Sequence, residues 1–207
     1  MKNHPIHTIV FDLGGVLVDW NPRYLFRSVF KDREKDMEYF LTQVCNQEWN
    51  EKQDAGRTFA EGQAEVLSQF PQFKKEIGIY WDRWEETLGK PIAETVKILE
   101  ELTATKQYKM LALSNWSAET FHFARKRFQF LKNFEGILVS GEEKLIKPDA
   151  RFFNLLVERY KIVPSESVFI DDVERNILSA QKLGFQTIHF QSPEQLGLSL
   201  GQLLNQK

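Results

Sequence analysis

The sequence predicts an α/β fold, a doubly wound parallel sheet carrying an inserted all-helical subdomain. Three observations lead there. Short apolar runs, too short for helices and rich in residues that suit buried strands, recur along the chain. Stretches of helical periodicity lie between them, and strands alternating with helices imply a parallel sheet covered on both faces. One segment, about 19–90, breaks the alternation with helical patterns and no convincing strand.

The elements follow in order. Thr8 to Asp12 (TIVFD) ends in an acid and meets Gly14-Gly15, which reads as a buried strand entering a tight turn. In the insert, Thr58-Phe59-Ala60-Glu61 forms a capping box just after Gly56. Ile92, Val96, Leu99 and Leu102 make an apolar stripe at helical spacing, and Phe153, Leu156, Val157 and Tyr160 make another. Further strands are expected at Tyr108 to Ser114, Gly136 to Ser140, Val168 to Asp171 and Thr187 to Phe190. Ser192-Pro193-Glu194-Gln195 opens a last helix as a capping box with Pro at the first helical position. The expected organisation is a discontinuous core of 1–18 and 91–207 with an insert at 19–90.

A chain of 207 residues suits one core fold with an insertion, and 42% hydrophobic content with Phe 17 and Trp 5 supplies a buried core. Lys and Arg (27) nearly balance Asp and Glu (29), so the electrostatic footprint of a nucleic-acid or membrane-surface binder is missing and a small-molecule partner is expected. The single Cys45 excludes an internal disulfide framework and a Cys-based zinc site, and reads as a small buried apolar residue. No apolar run approaches the ~20 residues of a membrane span, and Asp12 interrupts the stretch Ile9 to Val18, so the cytoplasm is the expected compartment. His4, His7, His122 and His189 show no metal spacing, and Trp20, Trp49, Trp81 and Trp84 read as packing residues.

In an open parallel sheet, ligands bind beyond the carboxyl ends of the strands, where strand order reverses. Four such ends carry polar residues: Asp12, Ser114-Asn115, Lys147-Pro148 following the third strand, and Asp171-Asp172. If they converge, three carboxylates face one ammonium, and carboxylates so clustered must take up protons or a cation. A hard divalent ion such as magnesium accepts oxygen ligands and keeps several waters. The neutralised site then accepts a phosphate dianion, with Lys147 and the Ser114 hydroxyl on its oxygens and Asp12 attacking phosphorus in line. The fingerprints G-x-G-x-x-G and G-x-x-x-x-G-K-[ST] are both absent, which argues against dinucleotide and P-loop readings.

Phe11-Asp12-Leu13-Gly14-Gly15-Val16, Leu113-Ser114-Asn115, Lys147-Pro148, and Ile170-Asp171-Asp172 followed by Asn176 resemble, in order, the four motifs of the haloacid dehalogenase superfamily. The likeness covers essentially the whole chain, and it is closer to the branch that includes alpha-D-glucose-1-phosphate phosphatase. It implies a Rossmann-like core with a helical cap, a phosphoric monoester hydrolase using Mg2+, and a small phosphorylated substrate with a sugar phosphate favoured. Asp12 is then nucleophile and metal ligand, Gly14 offers its carbonyl to the metal, Asp172 is the main direct ligand and Asp171 supports it. Ser114, Asn115 and Lys147 hold the phosphoryl group, and Arg57, in a turn resembling the specificity turn of such caps, meets a substrate hydroxyl or carboxylate.

Gly14 departs from the pattern. Most phosphatases of this superfamily carry Asp there, which protonates the leaving oxygen, and glycine has no proton to give. Good leaving groups suffer least, and Asp19 or Asp54 from the insert are the alternative donors; the sequence leaves these remedies open. Two rival readings stand beside the phosphatase: a non-catalytic phosphate- or protein-binding module, and a 2-haloacid dehalogenase, which leaves the Asp171-Asp172 pair unexplained. Oligomeric state is not legible in the sequence.

Overall fold

Four strands form where the chain carries unbroken buried runs: β1 (Thr8–Phe11), β4 (Lys109–Ser114), β5 (Gly136–Val139) and β6 (Ser167–Asp171). They were located in a computed structural model that describes residues 5–204. With β7 (Gln186–His189) they make a five-stranded parallel sheet in the order β5-β4-β1-β6-β7. The chain winds outward from β1 through β4 to β5, then crosses to β6 and β7 on the other side. Strand order therefore reverses between β1 and β6, and the crevice at their carboxyl ends is where such sheets bind ligands.

Alternate residues of each strand feed opposite faces, as the pleat requires. Ile9 and Phe11 pack with Ala112, Val139 and Ile170 on one face; Val10 packs with Leu111, Leu113, Leu138 and Phe169 on the other. The first face is covered by α6 (Ala93–Thr105) through Leu99 and by α11 (Pro193–Leu204) through Leu196 and Leu200. The second is covered by α9 (Ala150–Tyr160) through Phe152, Phe153 and Leu156, and by α10 (Glu174–Lys182) through Ile177 and Ala180. Two short helices, α7 (Phe121–Arg127) and α8 (Ser140–Glu143), follow β4 and β5. The expected cap at Ser192 forms through its hydroxyl, which accepts from the Gln195 N–H at 3.1 Å, while the Gln195 side chain accepts from Gln191 N–H instead of closing the box on Ser192.

The segment between β1 and α6 is helical in the main: α1 (Arg23–Phe30), α2 (Glu34–Tyr39) running into a π-helical turn at Phe40–Val44, α3 (Gln47–Asp54), α4 (Phe59–Gln69) and α5 (Lys74–Asp82). Thr58 and Glu61 complete the expected capping box at the start of α4. One expectation needs correction, because the segment 19–90 does contain strand. β2 (Val18–Trp20) and β3 (Leu88–Pro91) pair antiparallel, Val18 opposite Pro91 and Trp20 opposite Leu88. They straddle both expected boundaries and hold together the points where the chain leaves and re-enters the core. A three-residue strand and a partner containing Gly and Pro show no readable alternation, so the pattern hid them.

Aromatic rings fill the helical segment. Phe40 lies 4.8 Å from Phe26, 5.6 Å from Phe30 and 5.5 Å from Phe73 between ring centroids, and Trp49 lies 5.2 Å from Tyr80. These side chains belong to the same contiguous apolar cluster as the first sheet face, so segment and sheet share one core. Phe40→Ala is expected to cost about 3–5 kcal/mol through lost burial and a residual cavity. That is a fall of roughly 10 °C in melting temperature for a chain of this size. A calorimetric change under about 2 °C would show that the cluster is not cooperative with the rest of the fold.

Candidate active site

Asp12 follows β1 directly and Asp171 ends β6, the strand beside it. Between them sits Lys147, whose side chain is fully buried: its Nζ is 3.0 Å from Asp12 Oδ1 and 2.7 Å from Asp171 Oδ2. Asn115, just past β4, fixes this lysine from behind. Its Oδ1 accepts from the Lys147 N–H at 2.9 Å and its Nδ2 donates to the Lys147 carbonyl at 3.0 Å. Asp171 is fully buried and fully bonded, with Oδ1 accepting from Val173 N–H at 2.8 Å and Asn176 Nδ2 lying 3.1 Å from both oxygens. Asp172 is exposed and lies against Gly15, whose φ of 75° places it in the left-handed region. A Cβ on Gly15 would press on the Asp172 carboxylate and shift it, while the backbone angle is what calls for glycine here. At Gly14 a Cβ would meet nothing within 4 Å.

Ligand oxygens of Asp12, Asp171 and Asp172 all lie within 4.8 Å of one another. Burial first, then the charges of Asp171 and Asp172, push Asp12 up to about 7 against the pull of Lys147. Burial and the neighbouring Asp171 raise Asp172 as well. Burial alone would lower Lys147, but Asp12 and Asp171 outweigh it and hold the ammonium above its ordinary value. One ammonium against three carboxylates leaves a deficit of positive charge, and a set of hard oxygens this close suits magnesium. Asp12, Asp171 and Asp172 fit the ion that the resemblance implies, and Gly14 lines the cavity with Asp12 and Asp172.

Above the strand ends lies a cavity of about 750 Å³. Asp12, Gly14, Asn115, Asp172 and Asn176 form its floor, and Trp20, Leu41, Phe59, Tyr80 and Trp84 reach it from the helical segment. Ser114 is fully buried at the end of β4 behind Asn115 and does not itself line the cavity, and its Oγ has no hydrogen-bond partner among the described residues. One expected contact differs. Arg57 does not line the cavity: its guanidinium donates to Gln53 Oε1 at 2.6 Å and to the Trp49 carbonyl at 3.1 Å and pairs with Glu65, so helix packing consumes it. Asn115 does line the cavity, and its amide also holds the Lys147 main chain. Trp116 and Arg175 line the cavity and escaped the sequence reading, although Trp116 follows the Ser114-Asn115 pair directly. Of the tryptophans read as packing, Trp49 is buried while Trp20 and Trp84 also face the cavity; His4 lies outside the described residues.

A carboxylate at the switch point of a parallel sheet, backed by a buried lysine and two further acids, is an arrangement suited to nucleophilic hydrolysis with a divalent cation. Comparison with known proteins narrows the class: residues 9–190 match the model of the haloacid dehalogenase-like hydrolases, and the chain belongs to that family. It is 25% identical over 201 residues to the sesquiterpene phosphatase astK of Aspergillus oryzae, covering 94% of this chain and 95% of that one. It is 24% identical over 197 residues to the D-ribitol-5-phosphate phosphatase of Bacteroides thetaiotaomicron, covering 88% and 90%. Among solved structures, a magnesium complex of a haloacid dehalogenase family enzyme from Bacteroides thetaiotaomicron superposes with a TM-score of 0.71 at 25% identity, over 91% of this chain and 95% of the other. No described helix is long and apolar enough to cross a membrane.

Two outcomes follow from the geometry. Gly15→Ala is expected to lower magnesium affinity more than tenfold by calorimetric titration, since an αL alanine costs about 1–2 kcal/mol and its methyl displaces Asp172, while Gly14→Ala leaves affinity unchanged. The second concerns pH. Asp12 binds its proton more tightly folded (about 7) than at the ordinary value of 3.8, so the metal-free protein loses stability as pH rises from about 4 to about 7. Magnesium needs the ionised carboxylate, and its stabilisation, read as a melting shift, is expected to be larger at pH 7.5 than at pH 5. Equal shifts at both values would show that Asp12 is not a ligand.

Proposed function

We propose that this protein is a magnesium-dependent phosphomonoester hydrolase that passes the phosphoryl group through an aspartyl phosphate on Asp12. The observation that carries the reading is the buried Lys147 bridge, which holds Asp12 at the cavity floor within reach of Asp171 and Asp172. Asp12 Oδ1 takes both the Leu13 N–H, at 2.7 Å, and the lysine, which leaves Oδ2 to attack phosphorus. The unpartnered Ser114 hydroxyl donates to a phosphoryl oxygen, and the Lys147 charge draws the phosphate dianion onto the strand ends. Bound by Asp12, the Gly14 carbonyl and Asp172, with Asp171 in support, magnesium supplies the charge neutralisation that lets an anion approach an anion. Dehalogenation is disfavoured because it gives the acidic cluster no task.

For the substrate, the sequence favoured a sugar phosphate, and one relative is a phosphatase of D-ribitol 5-phosphate. A specific observation favours a second reading, an organic phosphate with an apolar body. Trp20, Leu41, Phe59, Tyr80, Trp84 and Trp116 wall the cavity, while polar groups there are already paired: Arg23 with Glu38, Glu51 with Arg175 and Gln47, Asn50 with Asp54. Sugar hydroxyls find few free partners against such a wall. Relative kcat/KM for a prenyl monophosphate and for sugar and polyol phosphates decides between the two.

Asp12→Asn is expected to reduce phosphate release at least a thousandfold with the fold intact, since it removes the nucleophile at nearly constant volume. Chelation is expected to stop the wild-type enzyme and added magnesium to restore it. More than a few per cent of activity in the variant, or full activity in chelator, overturns the reading.

A further inference from the structure

An alkoxide cannot leave phosphorus readily without a proton, and Gly14 has none to give. The cavity wall limits where the proton can come from. Asp12 and Asp172 belong to the acidic cluster. Glu51 is ion-paired with Arg175 at 2.5 Å, and Glu48 is largely exposed beside Lys52. Burial pushes the Cys45 thiol and the Tyr80 phenol upward, which makes both poor donors near neutrality. Asp19, open as an alternative in the sequence, accepts a hydrogen bond from the Tyr24 hydroxyl and does not line the cavity. Asp54 does line it.

Asp54 is the last residue of α3, half-buried, and held at both ends. Asn50 Nδ2 donates to its Oδ2 at 3.0 Å. The Ser140 hydroxyl donates to its backbone carbonyl at 2.5 Å and also accepts from the Trp116 N–H at 2.9 Å, which ties the end of α3 to the loop that carries Ser114 and Asn115. The groups facing its carboxyl are Glu51 on its own helix, Asp12 from the end of β1, the Tyr80 ring from α5 and the Ser117 N–H from the loop after β4. Burial first, then Glu51 and Asp12 against the Ser117 hydrogen bond, push it up to about 7, where a carboxyl group gives and takes protons near neutral pH.

We propose that Asp54 is the general acid–base of this site, supplied by the helical segment in place of a side chain at Gly14. This rests on the phosphatase reading. In the first step the Asp12 oxygen forms a bond to phosphorus as the ester P–O bond breaks, and the Asp54 carboxylic acid gives its proton to the departing oxygen, which leaves as an alcohol. In the second, water attacks phosphorus and gives a proton to the Asp54 carboxylate while the Asp12–phosphorus bond breaks, releasing inorganic phosphate and restoring the acid.

Rapid-mixing kinetics with magnesium test this on p-nitrophenyl phosphate and on a primary alkyl phosphate. Asp54→Asn is expected to slow the alkyl substrate about 10²–10³-fold. The p-nitrophenol burst is expected to stay within about tenfold of wild type and to be followed by slow turnover, with phosphoenzyme accumulating because the base is also lost. Asp54→Glu is expected to retain part of the alkyl activity, and Gly14→Asp added to Asp54→Asn to recover it, since the Gly14 side-chain position is open. Equal losses on both substrates with no burst, or an Asp54→Asn variant that melts and binds magnesium like wild type and keeps its alkyl rate, overturns the assignment alone. A wild-type enzyme that releases no phosphate from either substrate overturns the phosphatase reading and the assignment together.

Discussion

The structure around the site depends on one buried ammonium. Lys147 is fully excluded from water, and an ion so placed costs several kcal/mol unless it is paired and hydrogen-bonded. Asp12 and Asp171 meet that cost jointly, and each is anchored by main-chain donors of its own, Leu13 N–H for one and Val173 N–H for the other. The Asn115 amide clamps both main-chain groups of the lysine, so the ends of β1, β4 and β6 are joined through a single side chain. Removing any one member would strand a charge in the interior, which makes the cluster a structural constraint before it is a chemical one.

That constraint has a use because of where the sheet puts it. β1 is central, with β4 on one side and β6 on the other, so the polar ends of three adjacent strands open into one crevice. Adjacent acids that would repel one another in a less constrained loop are held together by the lysine and by Asn176. The exposed Asp172 lies on the solvent side of the cluster, against the left-handed turn at Gly15. The helical segment closes the crevice through contacts to the core: Ser140 with Asp54, Glu119 with the Phe59 N–H at 2.6 Å, and Arg175 with Glu51.

Much of this was legible in the sequence, for a physical reason. A polar residue that ends a fully buried strand interrupts an apolar run, so Asp12, Ser114 and Asp171 announce themselves, and their convergence follows from the parallel sheet. The features that stayed hidden depend on packing between distant parts of the chain. β2 and β3 exist because the two ends of the insert lie side by side, and neither has a period of its own. Arg57 sits in a turn that suggests a ligand, yet its geometry is set by Gln53 and Glu65, helical neighbours that take up its donors. Choosing between Asp19 and Asp54 required the cavity itself, which Asp54 lines and Asp19 does not.

The location of Asp54 ties chemistry to the position of the helical segment. A side chain at Gly14 would belong to the same rigid strand end as Asp12, and the acid would be present whether the segment was docked or not. Asp54 instead belongs to α3, whose place is set by Trp49 in the shared core and by the Ser140 and Arg175–Glu51 contacts. An acid on α3 would tie both the proposed proton donor and the proposed base to the packing of the helical segment. On the proposed reaction, both proton transfers would then depend on α3 keeping its place beside the strand ends, since Asp54 and Asp12 line one cavity from different parts of the chain. Aromatic side chains of the helical segment pack in the same core as the sheet face, so the packing that fixes α3 is also what would hold the acid at the site.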